Sequence, residues 1–136
     1  MSTLFCDIVT PAKKLFTEDC YMVVVPGVEG EMGYLEGHAP LVSTLADGVV
    51  RVLSDASTVA HRYALQGGYV QVTGKKVIVL ADRAIPVDEI DANDVKAKIS
   101  TLESEIGNLA DDDAQKNLKE IDLGWYKLQE HALETK

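Results

Sequence analysis

Cysteine is scarce in this sequence: Cys6 and Cys20 are the only two among 136 residues. Two thiols without a recognisable export signal point to a reducing compartment and to buried, inert side chains, and a disulfide between them is disfavoured. No Cys/His cluster has zinc spacing, so no metal centre is expected. The chain contains no apolar run of the roughly 18 residues that a membrane-spanning helix needs. Its opening, Met1-Ser2-Thr3-Leu4-Phe5-Cys6-Asp7, has no basic region and an early acid, so it does not read as a signal peptide. Bases are also in short supply: 13 Lys and Arg stand against 22 Asp and Glu, a net charge of −9. An acidic surface repels phosphate backbones, which argues against nucleic-acid binding. The three histidines, His38, His61 and His131, have no nucleophile or carboxylate at a catalytic spacing, so an enzyme is not expected. Asp111-Asp112-Asp113 fails as a calcium loop because Lys116 stands where the loop needs glycine.

What is present is ordinary globular composition, 46% hydrophobic and 26% charged. As far as about Ile85 the chain reads as short strands separated by turn residues. Leu4–Thr10 is β-friendly and stops at Pro11. Lys14–Thr17 is a second short run. Cys20–Val25 is continuously apolar, as in a strand buried on both faces, and ends at Pro26-Gly27. Leu41–Leu45, Val49–Leu53, Thr58–Gln66, Tyr69–Thr73 and Lys76–Leu80 follow, with Asp47-Gly48, Gly67-Gly68 and Gly74-Lys75 as punctuation. Strands at this spacing predict a β-sandwich or flattened barrel. After Pro86 the period changes. Val95, Ile99, Leu102, Ile106 and Leu109 form one narrow apolar seam, and Ala114, Leu118, Ile121, Trp125, Leu128 and Ala132 form another. Asp91 is a predicted N-cap and Gly107-Asn108 a predicted stop, so the tail is an antiparallel two-helix hairpin. The expected organisation is a sandwich over residues 1–86 and a hairpin over residues 87–136.

Between two apolar runs lies Gly27-Val28-Glu29-Gly30-Glu31-Met32-Gly33-Tyr34-Leu35-Glu36-Gly37-His38-Ala39-Pro40-Leu41, with four glycines, a histidine and a proline. Such a segment predicts an exposed, sharply shaped loop, the kind of place where a β scaffold carries binding function. It is not a phosphate cradle. The Gly27-x-x-Gly30-x-x-Gly33 spacing is wrong, no Lys-Ser/Thr follows, and Glu29, Glu31 and Glu36 would repel phosphate.

The assembled motifs resemble the epsilon subunit of F-type ATP synthases, the delta subunit in mitochondrial nomenclature. The matching residues are Asp7-Ile8-Val9-Thr10-Pro11, Val24-Val25-Pro26-Gly27-x-Glu29-Gly30-Glu31-x-Gly33 and Gly37-His38-Ala39-Pro40-Leu41. Gly48-Val49-Val50-Arg51, Gly67-Gly68-Tyr69-Val70-Gln71-Val72 and Val77-x-Val79-Leu80-Ala81-Asp82 continue the match across the N-terminal domain. The resemblance implies a sandwich of about ten strands, a non-catalytic role in the rotating central stalk, and binding to the gamma subunit and the c-ring. It implies a peripheral place on the cytoplasmic face of a bacterial membrane, and no resident cofactor. Glu29, Gly30, Glu31, Gly33, His38, Ala39, Pro40 and Leu41 match the family's docking loop, with Glu31 and His38 expected against polar loops of the ring. The hairpin seam, Val95, Ile99, Leu102, Ile106, Leu118, Ile121, Trp125 and Leu128, corresponds to the helices that in some members extend toward alpha and beta subunits and inhibit hydrolysis.

The sequence departs from the family in three places. Glu36 replaces the usual proline before Gly-His-Ala-Pro. Members that bind ATP carry an Ile/Leu-Asp-x-x-Arg-Ala motif; Ile90 and Asp91 match it, but Asp94 and Val95 occupy the Arg and Ala positions. A carboxylate in place of an arginine reverses the electrostatics toward phosphate, so ATP binding is expected to be weak or absent. From Asp91 onward eleven acids stand against six bases, a balance of −5 and the wrong sign for a strong charge clamp on an acidic partner. The competing reading of the same residues is a free-standing β-sandwich adapter or small-ligand sensor with a mobile hairpin.

Overall fold

The computed structural model describes residues 4–134. The chain divides into two compact units, Met1–Pro86 and Val87–Lys136. The first unit consists of β1 (Leu4–Val9), β2 (Lys14–Cys20), β3 (Met22–Gly27), β4 (Gly30–Leu35), β5 (Leu41–Thr44), β6 (Gly48–Leu53), β7 (Val59–Thr73) and β8 (Lys76–Pro86). Hydrogen-bonded neighbours run β2-β1-β8-β7-β6-β3-β4, and β5 pairs with β7 off this path. All pairings are antiparallel except that of β1 with β8.

The strand count differs from the ten that the resemblance implies, because two strands each serve both layers. β7 pairs with β6 through Val59–Leu65 and with β5 through Tyr69–Val72, on the same edge. Between those stretches lie Gly67 (φ 68°) and Gly68 (φ 117°), and the pairing with β8 passes over Gly67 while keeping the same register on both sides. The two glycines are therefore a kink inside one continuous strand, not a break between two. A Cβ on Gly68 would sit 1.9 Å from the Leu80 carbonyl oxygen. The corner is tied by Asp47, whose Oδ1 accepts from the Gly67 amide at 2.9 Å, and by the Leu45 amide donating to Gly68 O at 3.0 Å.

Alternation along the strands builds one core from both layers. Leu4, Cys6, Ile8, Val70, Val72, Val77 and Val79 come from one, and Val23, Val25, Tyr34, Val50, Val52, Tyr63 and Leu65 from the other. Val24 is buried as well, so β3 is covered on both faces, as its unbroken apolar run predicts. Asp7 is the one buried charge of this unit among the described residues. Its carboxylate accepts from Thr17 Oγ1 at 2.8 Å and meets Lys76 Nζ at 3.3 Å, so it is paired rather than stranded.

The second unit opens with a 3₁₀ turn, Val87–Glu89, followed by α1 (Ala92–Gly107) and α2 (Ala114–Glu134). Asp91 caps α1 by accepting from the Asp94 amide at 3.0 Å, and Asn108 closes it. Asp113 accepts from the Gln115 amide at 2.8 Å at the start of α2. The α1 seam lies where the periodicity puts it: Val95 is buried, and Ile99, Leu102, Ile106 and Leu109 are half-buried. The α2 seam does not. Trp125, Gln129 and Ala132 are buried and Leu128 is half-buried, but Leu118 is 64% and Ile121 46% exposed. Lys119 explains the difference. Its ammonium pairs with Glu105 of α1, so the polar residue one position beyond Leu118 holds the inner face there. Adjacent helical residues lie about 100° apart, which turns Leu118 and Ile121 off the seam. None of the described helices is long and apolar enough to cross a membrane.

Candidate functional site

The glycine-rich segment is not the single loop its composition predicts. Its middle, Gly30–Leu35, is β4, the last strand of the sheet, bonded only to β3. Glycines mask the alternation: of the six residues only Tyr34 is buried. Gly33 is where Met22 of the neighbouring strand lies close, since a Cβ there would come within 2.1 Å of Met22 Cε. The candidate docking residues therefore fall into two groups at the two ends of an edge strand. Five residue steps separate Gly30 from Leu35, about 17 Å of extended chain.

At one end, Gly27 faces Gly30 across the two-residue turn Val28-Glu29. Gly30 has φ 122°, and a Cβ on Gly27 would lie 2.7 Å from the Gly30 carbonyl oxygen, so both ends of the turn need glycine. Val28 is 65% exposed at the tip. Glu31 follows on β4. Arg51 Nη2, on β6, donates to both its carboxylate oxygens at 3.1 Å, reaching across β3. Both side chains are substantially exposed, and such a pair contributes about 0–1 kcal/mol to stability. Its effect is to fix the direction of the Glu31 carboxylate. Arg51 is a site residue that local reading does not find, because only the β4-β3-β6 register brings it to Glu31.

At the other end, Gly37 has φ 87°, and its amide donates to the Gly74 carbonyl in the β7–β8 turn. The His38 amide donates to Leu35 O at 3.2 Å, and its Nδ1 donates to Ala39 O at 2.7 Å. The His38 ring meets the buried Tyr34 ring edge-on, with centroids 5.0 Å apart. Burial raises the Tyr34 phenol above its ordinary pKa. His38 is thus half-buried and held from three sides, while Ala39 and Pro40 are exposed and Leu41 packs on the core. No group of three or more potential metal ligands occurs among the described residues.

The positions of the nucleotide motif lie in the second unit. Ile90 is buried, Asp91 is committed to the α1 cap and Val95 is buried. A cleft of about 240 Å³ between the start of α1 and the end of α2 is lined by Ala92, Val95, Lys96, Glu130, Leu133 and Glu134. Two carboxylates against one ammonium make it a poor seat for a polyphosphate.

Comparison with known proteins agrees with this architecture. Residues 3–87 match the family described as the ATP synthase, Delta/Epsilon chain, beta-sandwich domain. An ATP synthase epsilon chain from Rhodopseudomonas palustris (strain TIE-1) is 34% identical over 135 residues, covering 99% of this chain and 97% of that one. One from Parvibaculum lavamentivorans is 33% identical, covering 84% and 86%. Among solved structures, a chain of the Euglena gracilis mitochondrial ATP synthase (OSCP/F1/c-ring) superposes with a TM-score of 0.78 at 24% identity, covering 98% of this chain and 82% of that one. That last likeness speaks for the fold alone, while the family match and the near full-length relatives speak for descent. The chain belongs to the ATP synthase delta/epsilon chain family.

Proposed function

We propose that this chain docks into the central stalk of an F-type ATP synthase through β4 and the two turns that flank it, meeting the gamma subunit and the c-ring there. The chain is a non-catalytic subunit of the synthase, and it helps couple rotation to ATP synthesis without performing chemistry of its own. The observation that carries the docking reading is the construction of the β4 edge. Glu31 is aimed by Arg51, and His38 is braced by Tyr34, Ala39 and Leu35, yet both remain accessible to a partner. A partner that transmits torque is best served by side chains whose rotamers are already fixed, because less entropy is lost on docking. Two contact groups at the two ends of one strand also resist rotation better than one loop would. Membrane association follows from the complex, and the side we assign is the cytoplasmic face. The adapter or sensor alternative has no observation in its favour, since the relatives span the chain almost end to end.

Co-purification tests the proposal. A tagged chain isolated from membranes is expected to bring gamma and ring subunits with it. The double variant Glu31→Ala/His38→Ala is expected to lose at least tenfold in that yield while remaining folded. Equal recovery with the variant would refute the docking edge.

A further inference from the structure

The two cysteines, fourteen positions apart in sequence, meet in the fold. In the β1–β2 pair Leu4 stands opposite Cys20 and Cys6 stands opposite Glu18. Leu4 and Cys6 are two residues apart on one strand and share a face, and Cys20 shares it because it opposes Leu4. The thiols are diagonal neighbours on the core side and are hydrogen-bonded to each other. Both are free and buried. They are not equivalent. Cys6 is 0% exposed at the centre of β1, while Cys20 is 8% exposed at the end of β2, beside the bend at Tyr21, itself 39% exposed. The hydrogen bond from Cys6 holds the Cys20 thiol below its ordinary pKa. That shared hydrogen bond, and then burial, push the Cys6 thiol far up. Cys20, at the strand end and the more exposed of the two, is placed as the attacking thiol, and the fully buried Cys6 as the resolving one.

We propose that Cys6 and Cys20 are a redox-active pair that hydrogen peroxide converts to an intramolecular disulfide, with Cys20 attacking first and Cys6 resolving. In the first step the Cys20 sulfur attacks one peroxide oxygen, the O–O bond breaks, and the sulfenic acid forms as one water leaves. In the second step the Cys6 sulfur attacks the sulfenic sulfur, the S–O bond breaks, and the hydroxyl departs as a second water with the Cys6 proton. Two thiols supply the two electrons that hydrogen peroxide accepts. Diagonal Cα atoms in an antiparallel pair lie about 7–8 Å apart, beyond the usual disulfide span. Oxidation must therefore draw the end of β2 toward β1, changing the edge of the sheet opposite to β4.

The full-length chain, without denaturant, is exposed to excess hydrogen peroxide and analysed by intact mass and non-reducing peptide mapping. The expected result is the loss of two hydrogens and of both titratable thiols, with a linked peptide holding Cys6 and Cys20 that dithiothreitol reverses. In Cys6→Ala, dimedone is expected to trap a sulfenic acid on Cys20; in Cys20→Ala, Cys6 is expected to stay unmodified. Retention of both thiols by the folded wild-type chain would overturn the proposal. So would oxidation that yields only chain-to-chain dimers or unlinked sulfinic acid. The wild-type cross-link decides the question even where a variant fails to fold.

Discussion

Gly68 has no room for a side chain, and its φ of 117° is one that L residues rarely adopt. A Cβ would meet the Leu80 carbonyl oxygen at 1.9 Å and the Ala81 Cα at 2.8 Å, both backbone atoms that cannot swing aside. Backbone strain and overpacking add, so Gly68→Ala is expected to destabilise the chain by on the order of 3 kcal/mol. Gly74, in the β7–β8 turn, has nothing within 4 Å of a built Cβ. Gly74→Ala is therefore expected to stay within about 0.5 kcal/mol of the parent. Urea unfolding of both variants checks this, and equal midpoints would contradict the kink. The sequence makes these glycines conspicuous but reads them as boundaries. It cannot show that Gly67-Gly68 is crossed by one strand, because the reason lies in β8 and in Asp47, which are distant in sequence. Arg51 is hidden in the same way: nothing near Glu31 in the chain announces its partner twenty residues on.

At the scale of elements, the strands and the two helices were legible because alternation and the 3.6-residue period are local signals. Cys20–Val25 read as doubly covered, and β3 is so. The glycine segment reads as one loop in sequence because three of its residues that lie on β4 or face it, Gly27, Gly30 and Gly33, have no side chain with which to show a period. The α2 stripe was periodic but only half of it is buried. Periodicity identifies a stripe without saying which turns of it find a partner, and Lys119 takes the inner position near the loop. The start of α1 bears on nucleotide binding. Asp91 spends its carboxylate on the helix cap, Asp94 stands where a phosphate-binding arginine is needed, and the adjoining cleft holds Glu130 and Glu134. Calorimetric titration of the full chain with ATP is expected to show no saturable binding, with a Kd weaker than about 1 mM. Micromolar affinity would mean that backbone amides or Lys96 outweigh these carboxylates.

The whole molecule is two units with different kinds of surface. The first presents a sheet edge on which Glu31 and His38 have side-chain partners; the second is an acidic hairpin with Leu118 and Ile121 exposed on α2. On the proposed reading, a chain with no catalytic role keeps this edge for a partner. The most direct measurement is photo-crosslinking in the assembled synthase, with a photoreactive residue introduced singly at positions 31, 38 and 57. Position 57 lies in the exposed turn between β6 and β7, two strands removed from β4 in the pairing order. Adducts to the gamma subunit or to the ring from positions 31 and 38, with none from position 57, are the result predicted. Adducts from position 57 alone, with 31 and 38 silent, would show that the β4 edge faces solvent and that the synthase holds this chain by another surface.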